Sequence, residues 1–463
     1  MFLLIIKVRD VYSYLVGSSH VIDELLDSFF AKKIDGYWFS NAFRSGQWDG
    51  RIHFYNRNWH SFPTGLLERA TKFFEIQKLT YQIQDFRYRL PQEDWHYLNL
   101  KSIQLRDYQK EAIWTALNKG NGIIAQATNA GKTEVGCGII QVLGLSAIWL
   151  THRKELMYQT AERIKDRLGV KVGKIGDGIE DIKRITVAMV QSLYNRKDLK
   201  NFLSPFKVLV VDECHHLGSS VKTFYRVAMK CKASYRFGLS ATPLQKNDVK
   251  DWRLLAMTGE IIHSVTNQDL IEKGYSAEPK ITIIPIEEPT DIENLNYEDA
   301  YKVGICENEY RNNLILERCK EVNKPSLIIV KLLEHGRILK NLFLNSGFSC
   351  EFISGQENSD FRNKVIEEFK KGKIKCLIST VILDEGIDVP NIQHLVIAAG
   401  GKSYVKNVQR VGRGLRKKQN SENILYVTDF YDDTNVYLRR HSNKRIKDYK
   451  SEGFDVTIKR HSE

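Results

Sequence analysis

The chain has 463 residues, 42% of them hydrophobic and 27% charged, which predicts two to four domains at roughly 100–200 residues each and leaves no room for wholesale disorder, a disulfide-stapled peptide or a membrane bundle. Lysine and arginine outnumber aspartate and glutamate 69 to 56, for a formal net charge of +13, a balance suited to a polyanionic partner. The seven cysteines are scattered and contain no CxxC pair of metal-ligand spacing, which predicts a reducing, cytoplasmic setting.

Residues 1–98 are expected to form a module of their own, because the first hundred residues hold 21 of the 49 aromatic rings. Phe2–Ile6 is too short and lacks the basic flank of a leader segment, so it reads as a strand. Alternation over Leu3–Val8 and Tyr81–Arg89, around a helix over Val21–Phe30, predicts a small α+β unit. No later apolar run approaches the roughly 18 residues of a membrane span. From Gly122 onward, short apolar runs alternate with helical periods, the pattern of parallel βα units. Ile123–Ile124, Ala147–Leu150, Ile185–Val190, Val208–Val211 and Phe237–Leu239 read as one series of strands. A second series is Leu327–Val330, Cys350–Ile353, Cys376–Ile378, Leu395–Ala398 and Ile424–Val427. Two α/β lobes are therefore expected, over residues 99–265 and 266–430, joined near residues 260–280, with the acidic stretch Glu287–Asp299 as an exposed connection inside the second lobe. Residues 431–463 carry Arg439, Arg440, Lys444, Arg445, Lys447 and Lys450. They read as a basic helical tail, solvated by the plain reading and touching nucleic acid by the other.

Ala127-Thr128-Asn129-Ala130-Gly131-Lys132-Thr133 lies between a predicted strand and a predicted helix, where backbone N–H groups converge on phosphate oxygens. Lys132 would neutralise the terminal phosphates, and the Thr133 hydroxyl would ligate the magnesium that travels with a nucleotide. Gln126 stands where the strict P-loop pattern has glycine. Further on, the apolar run Val208–Val211 ends in two carboxylates, Asp212 and Glu213, expected at the carboxyl edge of the sheet. Asp212 can hold magnesium through its water shell, and Glu213 can deprotonate the water that attacks the γ-phosphate.

Ala130-Gly131-Lys132-Thr133, then Asp212-Glu213-Cys214-His215, then Ser240-Ala241-Thr242-Pro243 resemble motifs I, II and III of superfamily 2 helicases and translocases. The resemblance implies two RecA-like parallel-sheet lobes in tandem, with ATP and Mg²⁺ as cofactors. Leu105-Arg106-Asp107-Tyr108-Gln109 resembles the adenine-recognition segment, so that Arg106 and Gln109 join Thr128, Asn129, Ala130, Gly131, Lys132 and Thr133 in binding ATP, Gln109 reading the base edge. Thr151–Leu156 resembles motif Ia and Val190-Gln191-Ser192 the next DNA-facing segment, which implies DNA contacts for His152, Arg153, Gln191 and Ser192. Ser379–Pro390 resembles motif V, assigning Thr380 to DNA and Gly386 and Asp388 to the nucleotide. Gln409–Arg416 resembles motif VI. By that position Arg413 and Arg416 are arginine fingers that stabilise charge on the γ-phosphate, Gln409 stands near the attacking water, and Arg410 supports them. His215, Ser240, Thr242 and Arg410 would couple hydrolysis to strand movement.

Asp35–Arg51 interleaves aromatics, arginines and turn glycines, a composition able to stack bases and hold phosphates. Trp38, Phe43 and Trp48 are read chiefly as the core of a small domain, leaving Arg44 and Arg51 as the DNA contacts. This stretch, with Pro63–Leu67, resembles the N-terminal module of UvsW-type phage recombination helicases. Membership implies an ATP-driven DNA motor on branched molecules: fork reversal, Holliday-junction migration, and D-loop or R-loop dissociation. The expected partner is thus forked or branched DNA, with RNA in hybrids admitted, acted on by a monomer in the cytoplasm. An RNA helicase, a restriction-type duplex translocase and an ATP-switched nucleic-acid scaffold are the competing readings.

Overall fold

A computed structural model of the chain describes residues 3–127, 129–212, 221–241, 244, 248–380, 392–401 and 423–459. The chain divides into two compact units, Met1–Val265 and Thr266–Glu463. No helix among the described residues is long and apolar enough to cross a membrane.

The first unit begins with a four-stranded sheet in the order Ser61–Pro63, Tyr12–Val16, Leu4–Val8, Tyr81–Asp85, antiparallel except for the last pair. The helix His20–Phe30 starts at Ser19, whose hydroxyl caps the Ile22 N–H, and with Leu67–Ile76 it covers a core of Leu4, Ile6, Val8, Leu26, Phe30, Phe62 and Phe74. This core does not close on itself. Phe29, Phe30 and Phe54 surround Trp252, a residue of the neighbouring lobe, at ring-centroid distances of 6.2, 5.7 and 5.9 Å. Each such pair adds about 0.5–1.5 kcal/mol beyond the area it buries. The Arg69 guanidinium lies 4.6 Å from the same indole and pairs with Glu260 at 2.6 Å. Gly65 is required there, since a Cβ would collide with the Leu255 carbonyl oxygen. The N-terminal α+β module thus packs directly on the lobe that follows and shares one apolar cluster with it. Trp38, Phe43 and Trp48 are not in that core, and Trp38 is 52% exposed.

The lobe's eight-stranded sheet has Asn121–Gln126, Tyr235–Ser240, Val208–Asp212, Ala147–Thr151 and Ile185–Met189 at its centre, all parallel. Alternate residues of these strands enter two cores, Ile123, Ile148 and Val211 on one face and Ile124, Trp149 and Val210 on the other. Burial on both faces is what continuous apolar runs in parallel strands encode. Arg236 lies buried with its guanidinium donating to the carbonyls of Ala228, Cys231 and Met257 at 2.7–2.8 Å, so the buried cation is met by backbone acceptors.

The second unit is a seven-stranded, wholly parallel sheet in the order Cys350–Ile353, Cys376–Thr380, Ser326–Val330, His394–Ile397, Ile424–Asp432, Glu278–Ile286, Asp455–Ile458. Glu278–Ile286 escapes the sequence reading because Pro279 and Pro285 argue against an interior strand. Both prolines are tolerated for a geometric reason. Odd-numbered residues face Asp455–Ile458, which pairs only with residues 280–283, so neither proline meets a carbonyl that needs its missing N–H. Residues 431–463 are not a tail: the boundary at 430 cuts through Ile424–Asp432, the helix Val436–Ser451 packs into the unit, and Asp455–Ile458 closes its sheet. Arg445 is neither solvated nor available to nucleic acid. It is 1% exposed, paired with Asp429 at 2.8 Å, and donates to the Gly401 carbonyl at 3.1 Å. Arg311 pairs with Asp432 at 2.8 Å and donates to the Ala398 carbonyl, while the Tyr301 hydroxyl donates to Ala399 at 2.7 Å. Three side chains thus hold the turn 398–401 from which residues 402–422 continue.

Candidate nucleotide and nucleic-acid site

Parallel strands place the functional loops at one edge. The phosphate loop leaves Asn121–Gln126, the acidic segment leaves Val208–Asp212, Ser240 ends the strand between them, and the His152-Arg153 loop leaves Ala147–Thr151. Gly131 caps the helix Lys132–Leu143 with φ 81°, and Asn129 also adopts positive φ, 68°. That left-handed backbone turns consecutive N–H groups towards the point where a helix N-terminus already favours an anion.

Side chains from Asp107–Lys119 brace the loop from behind. The Ala130 carbonyl accepts from the Tyr108 hydroxyl at 2.9 Å and from the Gln109 amide at 2.8 Å, while the Gln109 oxygen accepts from the Arg106 N–H at 2.9 Å. A Cβ on Gly131 would strike the Gln109 amide nitrogen. Gln109 is buried and engaged with the loop's backbone, and Arg106 donates to the Tyr108 hydroxyl at 2.9 Å. Lys132 donates to the Gln126 carbonyl at 3.2 Å. The Gln126 side chain, at the position where the strict P-loop pattern has glycine, is fully buried, and its amide atoms have no hydrogen-bond partner among the described residues.

Asp212 is 8% exposed and accepts a hydrogen bond from the Trp149 indole at 3.1 Å. Its carboxylate and the half-buried Thr133 hydroxyl are hard oxygen donors. Among the described residues no group of three or more His, Cys, Asp or Glu could hold a metal ion. That donor set fits Mg²⁺, which is commonly held by one or two carboxylates together with substrate phosphates. Beside Thr133, Glu134 is buried between Arg163 at 2.9 Å and Arg167 at 2.8 Å, tying the phosphate-loop helix to Lys154–Leu168. Tyr108, Trp149 and this clamp were missed from sequence; the only signals were a carboxylate directly after Lys-Thr and a tryptophan inside an aliphatic strand.

Of the expected DNA contacts, Gln191 donates to the His152 carbonyl at 2.9 Å, which joins the two loops, and Arg153, Gln191 and Ser192 are exposed. Thr380 ends Cys376–Thr380 with its hydroxyl buried and without a hydrogen-bond partner among the described residues. Arg44 is exposed and donates to the Trp38 carbonyl at 3.1 Å, whereas Arg51 is half-buried in the two-stranded hairpin Ala31–Lys33 with Arg51–His53. Trp38 and Phe39 stand exposed beside Arg44 in the excursion between those strands. Thr128, Glu213, His215, Thr242, Gly386, Asp388, Gln409, Arg410, Arg413 and Arg416 lie outside the described residues.

Three family models match: the N-terminal domain of DNA helicase UvsW over residues 5–84, the res subunit of type III restriction enzymes over 102–245, and the helicase conserved C-terminal domain over 309–418. The ATP-dependent DNA helicase uvsW of Enterobacteria phage T4 is 28% identical over 94% of each chain. The chain belongs to the superfamily 2 DNA helicases. It is an ATP-dependent enzyme with two RecA-like lobes and a UvsW-type N-terminal region. The crystal structure of T4 UvsW covers 99% of each chain at 22% identity with a TM-score of 0.50, a likeness of fold. The DNA 3'-5' translocase XPB2 of Sulfurisphaera tokodaii is 26% identical over 70% of this chain and 81% of its own.

Proposed function

We propose that this helicase is a Mg²⁺-dependent motor on branched DNA, reversing forks, migrating Holliday junctions and dissociating D-loops or R-loops, as a monomer in the cytoplasm. The observation that carries the reading is the exposed Trp38, Phe39 and Arg44 group on an excursion whose root, Phe29 to Phe54, is docked on the motor through Trp252. Exposed rings beside a cation suit unpaired bases at a junction. A rigid root lets movement of the motor act on whatever that group holds.

The chemistry follows from the residues. The backbone of Asn129 to Gly131 and the Lys132 ammonium receive the phosphates, and Thr133 and Asp212 would hold the cation, which supplies charge neutralisation when bound. Glu213 accepts the proton of the attacking water, with Arg413 and Arg416 countering charge on the γ-phosphate. Arg153, Gln191 and Ser192, all exposed, contact the DNA backbone, giving binding that ignores sequence and falls steeply with salt.

The test is four-way-junction migration by a Trp38→Ala/Phe39→Ala double variant. The expected result is at least a tenfold slower migration with DNA-independent ATPase unchanged, since base stacking contributes about 1–3 kcal/mol per base. Migration at the parental rate would remove the junction role of this surface.

A further inference from the structure

We infer that Trp149 is a positioning residue for the divalent cation of ATP, acting through Asp212; the inference rests on the reading above that Asp212 serves that cation. Trp149 sits in the strand Ala147–Thr151, paired opposite Val210 of Val208–Asp212. Its side chain therefore leaves the sheet on the same face as that of Asp212, two residues further along. The indole reaches that distance, and Nε1–H donates to Asp212 Oδ2 at 3.1 Å with the ring fully buried.

The phosphate-loop helix is shaped to admit the ring. At Gly136 of Lys132–Leu143, a Cβ would lie 2.5 Å from indole atoms Cη2 and Cζ3. Any other residue there would push the indole off the carboxylate or the helix off the sheet. One ring thus touches the helix that begins with Lys132 and Thr133 and bonds the carboxylate that ends the neighbouring strand. A planar donor wedged in a close-packed layer has one position, so it fixes one rotamer of Asp212. Orienting partners of this kind act on metal affinity by about 10–100-fold when removed, although they never touch the metal.

A purely packing role for Trp149 predicts something else. Loss of packing would weaken nucleotide binding with and without metal alike, whereas loss of an orienting N–H affects only the metal-dependent part. The discriminating change removes the N–H and keeps the shape: replacement of Trp149 by the isosteric amino acid 3-benzothienylalanine in the full chain, with Trp149→Phe as a second variant. The probe is Mn²⁺, followed by electron paramagnetic resonance in the presence of a non-hydrolysable ATP analogue. A fluorescent ATP analogue without metal reports the cradle separately.

The expected result is an Mn²⁺ dissociation constant about tenfold higher in both variants, with metal-free nucleotide affinity within about twofold of the parent. Raising Mg²⁺ should then restore turnover in the isosteric variant. Unchanged Mn²⁺ affinity in that variant, where Asp212→Asn abolishes Mn²⁺ binding, would overturn the role of Trp149 alone. Mn²⁺ binding that survives Asp212→Asn would overturn the assignment of Asp212, and the role of Trp149 with it.

Discussion

The two RecA-like lobes hold their working segments by different physics. In the first lobe the phosphate loop is fixed by its own backbone, with positive φ at Asn129 and Gly131 and a helix N-terminus, and braced by two uncharged side chains, Tyr108 and Gln109, that donate to the Ala130 carbonyl. Its buried carboxylate, Glu134, is met by arginines that still reach water, with Arg163 52% and Arg167 16% exposed. In the second lobe the turn 398–401 is held from outside by side chains, and the pairs Arg311–Asp432 and Arg445–Asp429 are at most 2% exposed. A site built on backbone geometry tolerates the loss of a supporting charge. One held by a desolvated ion network does not, because removing one partner strands the other without water.

Arg445→Met should therefore be the most damaging support mutation, lowering stability by about 3–5 kcal/mol because Asp429 is left buried without its cation. Urea unfolding of the full chain measures it, and a loss under 1 kcal/mol would erase the contrast between the lobes. Glu134→Gln should cost less, about 1–2 kcal/mol, since the amide retains hydrogen bonds and Arg163 can turn to solvent. The same unfolding experiment should show nucleotide affinity changed by less than a factor of about three, in line with backbone control of the cradle.

The weakest effect is expected at the root of the N-terminal excursion, and it depends on pH. His53 bridges Asp27 at 2.7 Å and Asp49 at 3.0 Å, with Arg57 also on Asp27 at 2.8 Å. Burial works against protonation, but the two carboxylates prevail and raise the His53 pKa above its ordinary 6.5. A raised folded-state value means the stabilisation is complete below about 6.5 and is lost as pH climbs through the higher folded pKa. The melting temperature should fall slightly over that interval in the parent and not in His53→Gln. A parent curve flat from pH 6 to 9 would contradict it.

How far the sequence was readable differs by element for physical reasons. Val208–Val211 and Leu327–Val330 were legible because strands buried on both faces leave uninterrupted apolar runs. Glu278–Ile286 was not, because whether proline is tolerated depends on how far a neighbouring strand extends. Arg445 was misread because a charge run looks the same whether it faces solvent or a pair of aspartates distant in sequence. In the site, Lys132, Thr133 and Asp212 announce themselves by fixed spacing. Gln109 shows the limit: the segment was recognisable, but its amide is bonded to the Ala130 carbonyl, a contact no local pattern encodes. Trp149 and Glu134 act through partners 63 and 29–33 residues away, beyond the reach of any motif.

The central claim, an ATP-driven motor for branched DNA, is tested most directly by steady-state ATPase with Mg²⁺. The activators to compare are no nucleic acid, single-stranded DNA, linear duplex, a four-way junction and RNA, with Glu213→Gln as the hydrolysis-dead control. Strongest stimulation by the junction, weak response to RNA and no turnover in Glu213→Gln is the predicted result. Stimulation chiefly by RNA, or equal stimulation by linear duplex and junction, would contradict it, the first pointing to RNA remodelling and the second to duplex translocation.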